Sequence, residues 1–137
     1  MGRTRPRIGG NVDGVGSSIL RPVSAGTLQT EELAGCSVVA LHADHDLSTA
    51  DSLRDALETL RRNGRPIVVD LSAATFVDSA VLGILVAEHD QAEAEGLRFS
   101  IVLGDPPSRS VQRLVELTRI DTVLNIVATR DEAVAAP

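Results

Sequence analysis

The sequence has no lysine, no tryptophan and no tyrosine, and only one cysteine, one methionine and two phenylalanines in 137 residues. Each shortage excludes something. Without lysine there is no phosphate-gripping P-loop lysine and no Schiff-base chemistry. The lone thiol, Cys36, cannot close an internal disulfide. It heads an apolar run and reads as a buried, inert side chain. With Phe76 and Phe99 as the only aromatics, there is no platform for stacking nucleobases. No apolar run approaches the ~20 residues that span a bilayer, so no direct membrane insertion is expected. The early arginines are not followed by the apolar segment of a secretory leader. A cytoplasmic location is the expectation.

The charge that is present is unevenly placed. The net charge is -6. Residues 1–26 carry Arg3, Arg5, Arg7 and Arg21 against Asp13 alone, a balance of +3. The rest carries nine arginines against eighteen acids, a balance of -9. An acidic body repels nucleic-acid phosphate, so no nucleic-acid partner is expected despite the basic start. Residues 1–26 are rich in Gly, Ser, Arg and Pro and show no period, which reads as a disordered N-terminal tail with Thr4, Ser17 and Ser18 as modifiable hydroxyls. Residues 27–137 read as one domain, long enough to bury a core without metal or disulfide.

Periodicity orders that domain. Leu28 to Leu33 reads as a short edge strand, and the β-branched run Cys36 to His42 as a strand paired antiparallel to it. An acidic turn, Ala43 to Leu47, follows. Ser48 or Thr49 opens a helix, with Ser48 and Asp51 spaced as a capping box. Leu53, Ala56, Leu57 and Leu60 give that helix one buried stripe. Asn63-Gly64 closes it and Pro66 bars its continuation. Ile67 to Leu71 reads as a central strand covered on both faces. A small-residue turn leads to Thr75-Phe76-Val77-Asp78, and Ser79 to Glu95 reads as a helix closed by Gly96. Phe99 to Leu103 is a strand, Pro106-Pro107-Ser108 opens a third helix, Val123 to Ala128 is a last strand, and Asp131 to Ala136 a final helical turn. Strands alternating with helices favour a mostly parallel sheet with right-handed crossovers. The fold class expected is α/β, a mixed, mostly parallel sheet of four or five strands packed with three or four helices.

Sites in such sheets lie where strands end and helices begin. Two segments qualify: Asp44-His45-Asp46 and Asp78-Ser79. A serine in the first turn of a helix faces unpaired N–H groups and the positive end of the helix dipole. A phosphate there would meet those donors, and it would add about -1.5 to -2 charge beside Asp78. Asp-Ser at a helix start is also ordinary capping chemistry.

Asp70-Leu71 followed by Thr75-Phe76-Val77-Asp78-Ser79-Ala80-Val81-Leu82-Gly83 resembles the signature of the STAS domain of bacterial anti-sigma factor antagonists. His42 to Thr49 is similar to that family's acidic turn after the second strand, with Asp44 and Asp46 at its two acids. The resemblance extends from about residue 28 to 135. It implies a protein that binds an anti-sigma factor of the serine-kinase type. In the family that partner phosphorylates the serine after the aspartate and the complex dissociates, and a phosphatase resets it. Ser79 matches the phosphoacceptor. The partner surface would comprise Asp44, Asp46, Ser48, Thr49, Asp78, Ser79 and Ala80. No cofactor and no catalysis are expected; the partner supplies ATP. Three positions depart from the pattern: Ala43 replaces a glycine, Ala80 a hydroxyl residue and Val81 a glycine. Val81 puts a β-branched side chain beside the acceptor, where a kinase must approach closely, so weaker phosphorylation or a different choice of partner is expected.

Other chemistry is weaker. His42, Asp44 and Asp46 would share one side of an extended segment, a set of metal-ligand types, but solvated turn charges explain them as well. A serine hydrolase would need a Gly-x-Ser-x-Gly elbow, which is absent. His89 reads as a partly exposed helix residue. The alternative to a phosphorylated antagonist is a non-phosphorylated STAS interaction subunit of a transport or stress-sensing assembly.

Overall fold

Five strands and four helices follow one another in the computed structural model, which describes residues 26–135. They are β1 (Thr27–Leu33), β2 (Cys36–His45), α1 (Leu47–Arg62), β3 (Ile67–Val77), α2 (Ser79–Ala94), β4 (Phe99–Val102), α3 (Arg109–Thr118), a 3-10 turn (Ile120–Thr122), β5 (Asn125–Val127) and α4 (Arg130–Ala135). The tail expected over residues 1–26 lies, up to residue 25, outside the described residues.

The sheet order is β1-β2-β3-β4-β5. β1 and β2 form an antiparallel hairpin whose two-residue loop, Ala34-Gly35, takes positive φ at both positions (52° and 80°). That is the turn whose twist matches paired strands. β2 to β5 are parallel. Each parallel step carries a helix, and right-handed crossovers that always advance in one direction put those helices on one face. The main core agrees. Leu53 and Leu57 of α1, Val81 and Leu85 of α2 and Val111 of α3 pack with Val39, Leu41, Val69 and Ile101 of the sheet. Truncating one of the fully buried leucines to alanine would cost about 2–5 kcal/mol. The opposite face holds a smaller cluster, Cys36, Val38, Val68 and Val102, with Ala133 of α4 packed on it. The buried thiol expected at Cys36 is found, at 3% exposure.

The elements depart from expectation mainly at the carboxyl ends of the central strands. β2 does not stop at His42 but continues to His45, and β3 runs on through the small residues 72–74 to Val77. The two stay paired by shifting register between Ala40 and His42 and between Ala43 and Asp44, with Ala43 at φ 68°. Such bulges insert a residue and re-aim those that follow. Both shifts take their extra residue in β3, and in β2 the left-handed Ala43 interrupts the simple alternation that would have aligned His42, Asp44 and Asp46. The capping box is also corrected: Asp46 caps α1, and Asp51 pairs with Arg54 instead. The last strand is shorter than expected, Asn125–Val127, with Val123 outside it and exposed.

Candidate functional site

The carboxyl edge of β2 and β3 is built from two helix entrances. At the first, Asp46 is extended (φ -129°) and its Oδ1 accepts from the Ser48 N–H at 2.8 Å and the Ser48 hydroxyl at 2.5 Å. Those donors, the hydroxyl foremost, hold the Asp46 carboxyl below the usual aspartate range. At the second, Asp78 is extended (φ -95°) and its Oδ1 accepts from the Val81 N–H at 3.1 Å. Ser79 is the first residue of α2 and is exposed. Asp78 caps only the Val81 donor, so the N–H groups of Ser79 and Ala80 point out of the helix end.

The two entrances are joined. The Asp78 N–H donates to the His45 carbonyl at 3.1 Å, and His45 pairs with Val77 across the strands. Asp46 and Asp78, each one residue beyond that junction, therefore stand side by side. Asp44 is half-buried and accepts from the Thr75 hydroxyl at 2.5 Å. The fold thus brings Asp44, Asp46, Ser48, Thr49, Asp78, Ser79 and Ala80 to one edge. They are not equally available. Ser48 is exposed, whereas Ala80 is half-buried and the Thr49 hydroxyl is engaged by the Asp46 carbonyl (3.1 Å) and the His45 ring (3.0 Å). Among the described residues no cation pairs with Asp44, Asp46 or Asp78.

Val81 overturns one expectation. Its side chain is 0% exposed and belongs to the core, so it faces away from the Ser79 hydroxyl rather than obstructing it.

Two features of the edge escaped the sequence. His45, expected in a solvated turn, is fully buried. Its Nε2 faces the carbonyls of Thr27 (3.2 Å) and His42 (3.1 Å), which only accept, so Nε2 carries the proton and donates to them. Gly26 packs so closely on this ring that a Cβ there would lie 2.6 Å from Nε2 and would also collide with the Asp44 carbonyl oxygen. The second feature is apolar. Leu47, next to Asp46, is 73% exposed, and Phe76, two residues before Asp78, is 43% exposed. Strand alternation carried the signal for Phe76, because neighbouring Phe76 and Val77 cannot both face the core.

Metal-ligand types gather elsewhere among the described residues. His89, Asp90 and Glu93 share one turn of α2, and the His89 ring meets Phe99 edge-on at 5.9 Å. An open groove of about 670 Å³ also lies apart from the edge, lined by Leu103, Asp105, Ile126 and Glu132. Glu132 is occupied there, capping the N–H of Ala128 at 2.9 Å.

Fold and edge together define a single-sheet α/β domain whose polar, hydroxyl-bearing surface stands where parallel strands feed two helix entrances. A family model described as "Mlab, STAS domain" matches residues 28–128, and the chain belongs to the STAS domain family. Among curated proteins it is 32% identical over 73 residues to a STAS-domain containing protein of Pseudomonas aeruginosa, covering 53% of this chain and 72% of that one. It is 28% identical over 108 residues to the anti-sigma-F factor antagonist RsfB of Mycobacterium tuberculosis, covering 78% and 85%. Among solved structures it superposes on an anti-sigma factor antagonist from Mycobacterium paratuberculosis with a TM-score of 0.73 and 29% identity, over 81% of this chain and 92% of that one. No described helix is long and apolar enough to cross a membrane.

Proposed function

We propose that this protein is a cytoplasmic anti-sigma factor antagonist. It binds an anti-sigma factor through the edge carrying Asp44, Asp46, Ser48, Thr49, Asp78, Ser79 and Ala80, and phosphorylation of Ser79 by that partner's serine-kinase activity switches it off. A phosphatase restores it. It acts by binding and catalyses nothing itself. One observation carries the reading: the Ser79 hydroxyl is exposed at the mouth of α2, beside a second acid-capped helix entrance joined to it by the Asp78–His45 hydrogen bond. Likeness to two proteins named as anti-sigma factor antagonists supports it.

The physical consequence follows from charge. A phosphoryl group on Ser79 adds about -1.5 to -2 to a surface already holding Asp46 and Asp78. The outward N–H groups of α2 can donate to its oxygens without refolding. A partner complementary to the unmodified edge then meets new repulsion and an unmet desolvation cost. The test is affinity capture of the partner from the source cell, followed by titration of the purified pair. Ser79→Glu should weaken binding by at least about tenfold, or about 1.4 kcal/mol, and Ser79→Ala should bind while taking no phosphate. Equal affinity of the glutamate variant and the parent would sink the switch.

A second reading has one observation of its own, Ala80 in place of the hydroxyl residue beside the acceptor. In it the domain is an unphosphorylated interaction subunit of a transport or stress-sensing assembly. Capture would then return a membrane ATPase complex, and Ser79→Ala and Ser79→Glu would associate with it alike.

A further inference from the structure

The carboxyl ends of β4 and β5 differ from those of β2 and β3 in where the chain goes next. Val102 and Val127 end the two strands opposite each other in register. After β4 the chain turns to the main layer, where Val111 of α3 packs in the larger core. After β5 it turns to the other face, where Ala133 of α4 packs with Val38, Val68 and Val102. Connections that leave neighbouring parallel strands toward opposite faces cannot close over the strand ends between them. They leave a crevice, and in open α/β sheets ligands bind in such crevices. The groove of about 670 Å³ lies there, with Leu103, Asp105 and Pro107 on the β4 side and Ile126, Ala128 and Glu132 on the β5 side. Its volume falls within the roughly 300–1,000 Å³ usual for small-molecule sites. Topology and cavity thus point independently to one place. It is separate from the Ser79 edge, which β2 and β3 form.

The walls of the crevice are braced before anything enters. The Leu103 N–H donates to the Val127 carbonyl at 3.0 Å and the Gly104 N–H to the Ala128 carbonyl at 2.9 Å, which carries the pairing past both strand ends. Glu132 Oε1 accepts from the N–H groups of Ala128 (2.9 Å) and Thr129 (3.3 Å). Leu103, Pro107 and Ile126 are half-buried and give the groove its apolar surface. No arginine lines it, and the exposed Asp105 has no cation partner among the described residues. Arg130, in the adjoining hollow, is turned to Asp70 and Glu31. We propose that the crevice between β4 and β5 binds a small organic cation, an ammonium group on an apolar body. The body lies against Leu103, Pro107 and Ile126, and the ammonium group is drawn to the carboxylates of Asp105 and Glu132. An anion of the same shape meets like charge there, and a neutral analogue gains the apolar contact alone.

The test titrates the full chain with phenethylamine, phenethyl alcohol and hydrocinnamate, which share one ring and differ in charge, and follows amide resonances at low salt. The amides of Leu103 to Asp105 and of Ile126 to Thr129 should shift with the amine and saturate in the millimolar range expected of so small a probe. The alcohol should bind at least about threefold more weakly, and the carboxylate should leave these amides unmoved. Asp105→Asn changes an exposed position and leaves the fold intact. It should weaken the amine at least about threefold, and an ionic strength of about 1 M should do the same to the parent chain. Equal binding of amine and carboxylate overturns the proposal. So do shifts centred on another surface, no shift at all, or an amine titration indifferent to Asp105→Asn. No anti-sigma factor enters the measurement, so its outcome leaves the reading of the Ser79 edge untouched.

Discussion

Asp70 shows how a single buried carboxylate is held in this domain. It is 5% exposed; Oδ1 accepts from the Ser72 N–H at 2.9 Å and Oδ2 from the Arg130 Nε at 2.6 Å. Burial acts to raise this carboxyl, but the Ser72 donors and the Arg130 guanidinium outweigh it and leave it below the usual aspartate range. A carboxyl depressed by folding adds stability that is complete above its unfolded pKa of about 3.9 and is lost as pH falls through the folded value. Asp70→Asn should cost about 1–3 kcal/mol at neutral pH, because it leaves the Arg130 guanidinium short of an anionic acceptor. In urea unfolding the gap between variant and parent should narrow at pH 3; a constant gap would assign the loss to packing. At this scale the sequence revealed chemistry better than exposure. Asp78 and Ser79 were legible because capping and the motif both single them out, and Asp46 because the motif does; the capping role it plays is the one that spacing assigns to Ser48. His45 was not, because its burial depends on Gly26 and on the carbonyls of Thr27 in β1 and of His42 across the irregular end of β2, and no local pattern encodes that.

The two helices that begin at the candidate site also grip each other. Arg61 of α1 reaches Glu88 of α2 and Glu95 at its C-cap, with Nη1 at 2.5 Å from the Glu88 carboxylate and Nε at 3.1 Å from Glu95. Glu88 is 6% exposed, and burial raises its carboxyl although Arg61 pulls it down. An acid raised by folding favours the folded state least when ionised, so stability falls as pH rises through its range. Arg61→Met removes the opposing cation. It should destabilise by about 3–5 kcal/mol at neutral pH and by less near pH 4, where Glu88 binds a proton. Equal losses at both pH values in denaturant melts would show that the pair is not what binds α1 to α2. Element type and order were legible here through period and turn residues. Element ends were misjudged where residues 72–74 look like a turn. They stay in β3 because that strand takes up an extra residue at each of two register shifts and so keeps pairing with β2 as far as His45 and Val77.

For the whole molecule, the alternation of strands and helices sufficed to give the mostly parallel sheet and its antiparallel opening pair. The smaller opposite layer needed the long-range contact of α4 with Val38 and Val68, which no window of sequence contains. Because Ser79 is exposed, Ser79→Glu should leave overall stability within about 0.5 kcal/mol of the parent, as measured by thermal melting. A larger loss would mean that the residue supports the fold rather than its surface. The bond from the Asp78 N–H to the His45 carbonyl has a further consequence. It clamps both entrances into one plate before anything docks. Little loop freedom is then surrendered on association, and the encounter resembles two rigid bodies meeting. Recognition of the modified and unmodified forms would turn on the electric field at that plate, felt during approach, and not on a change of shape.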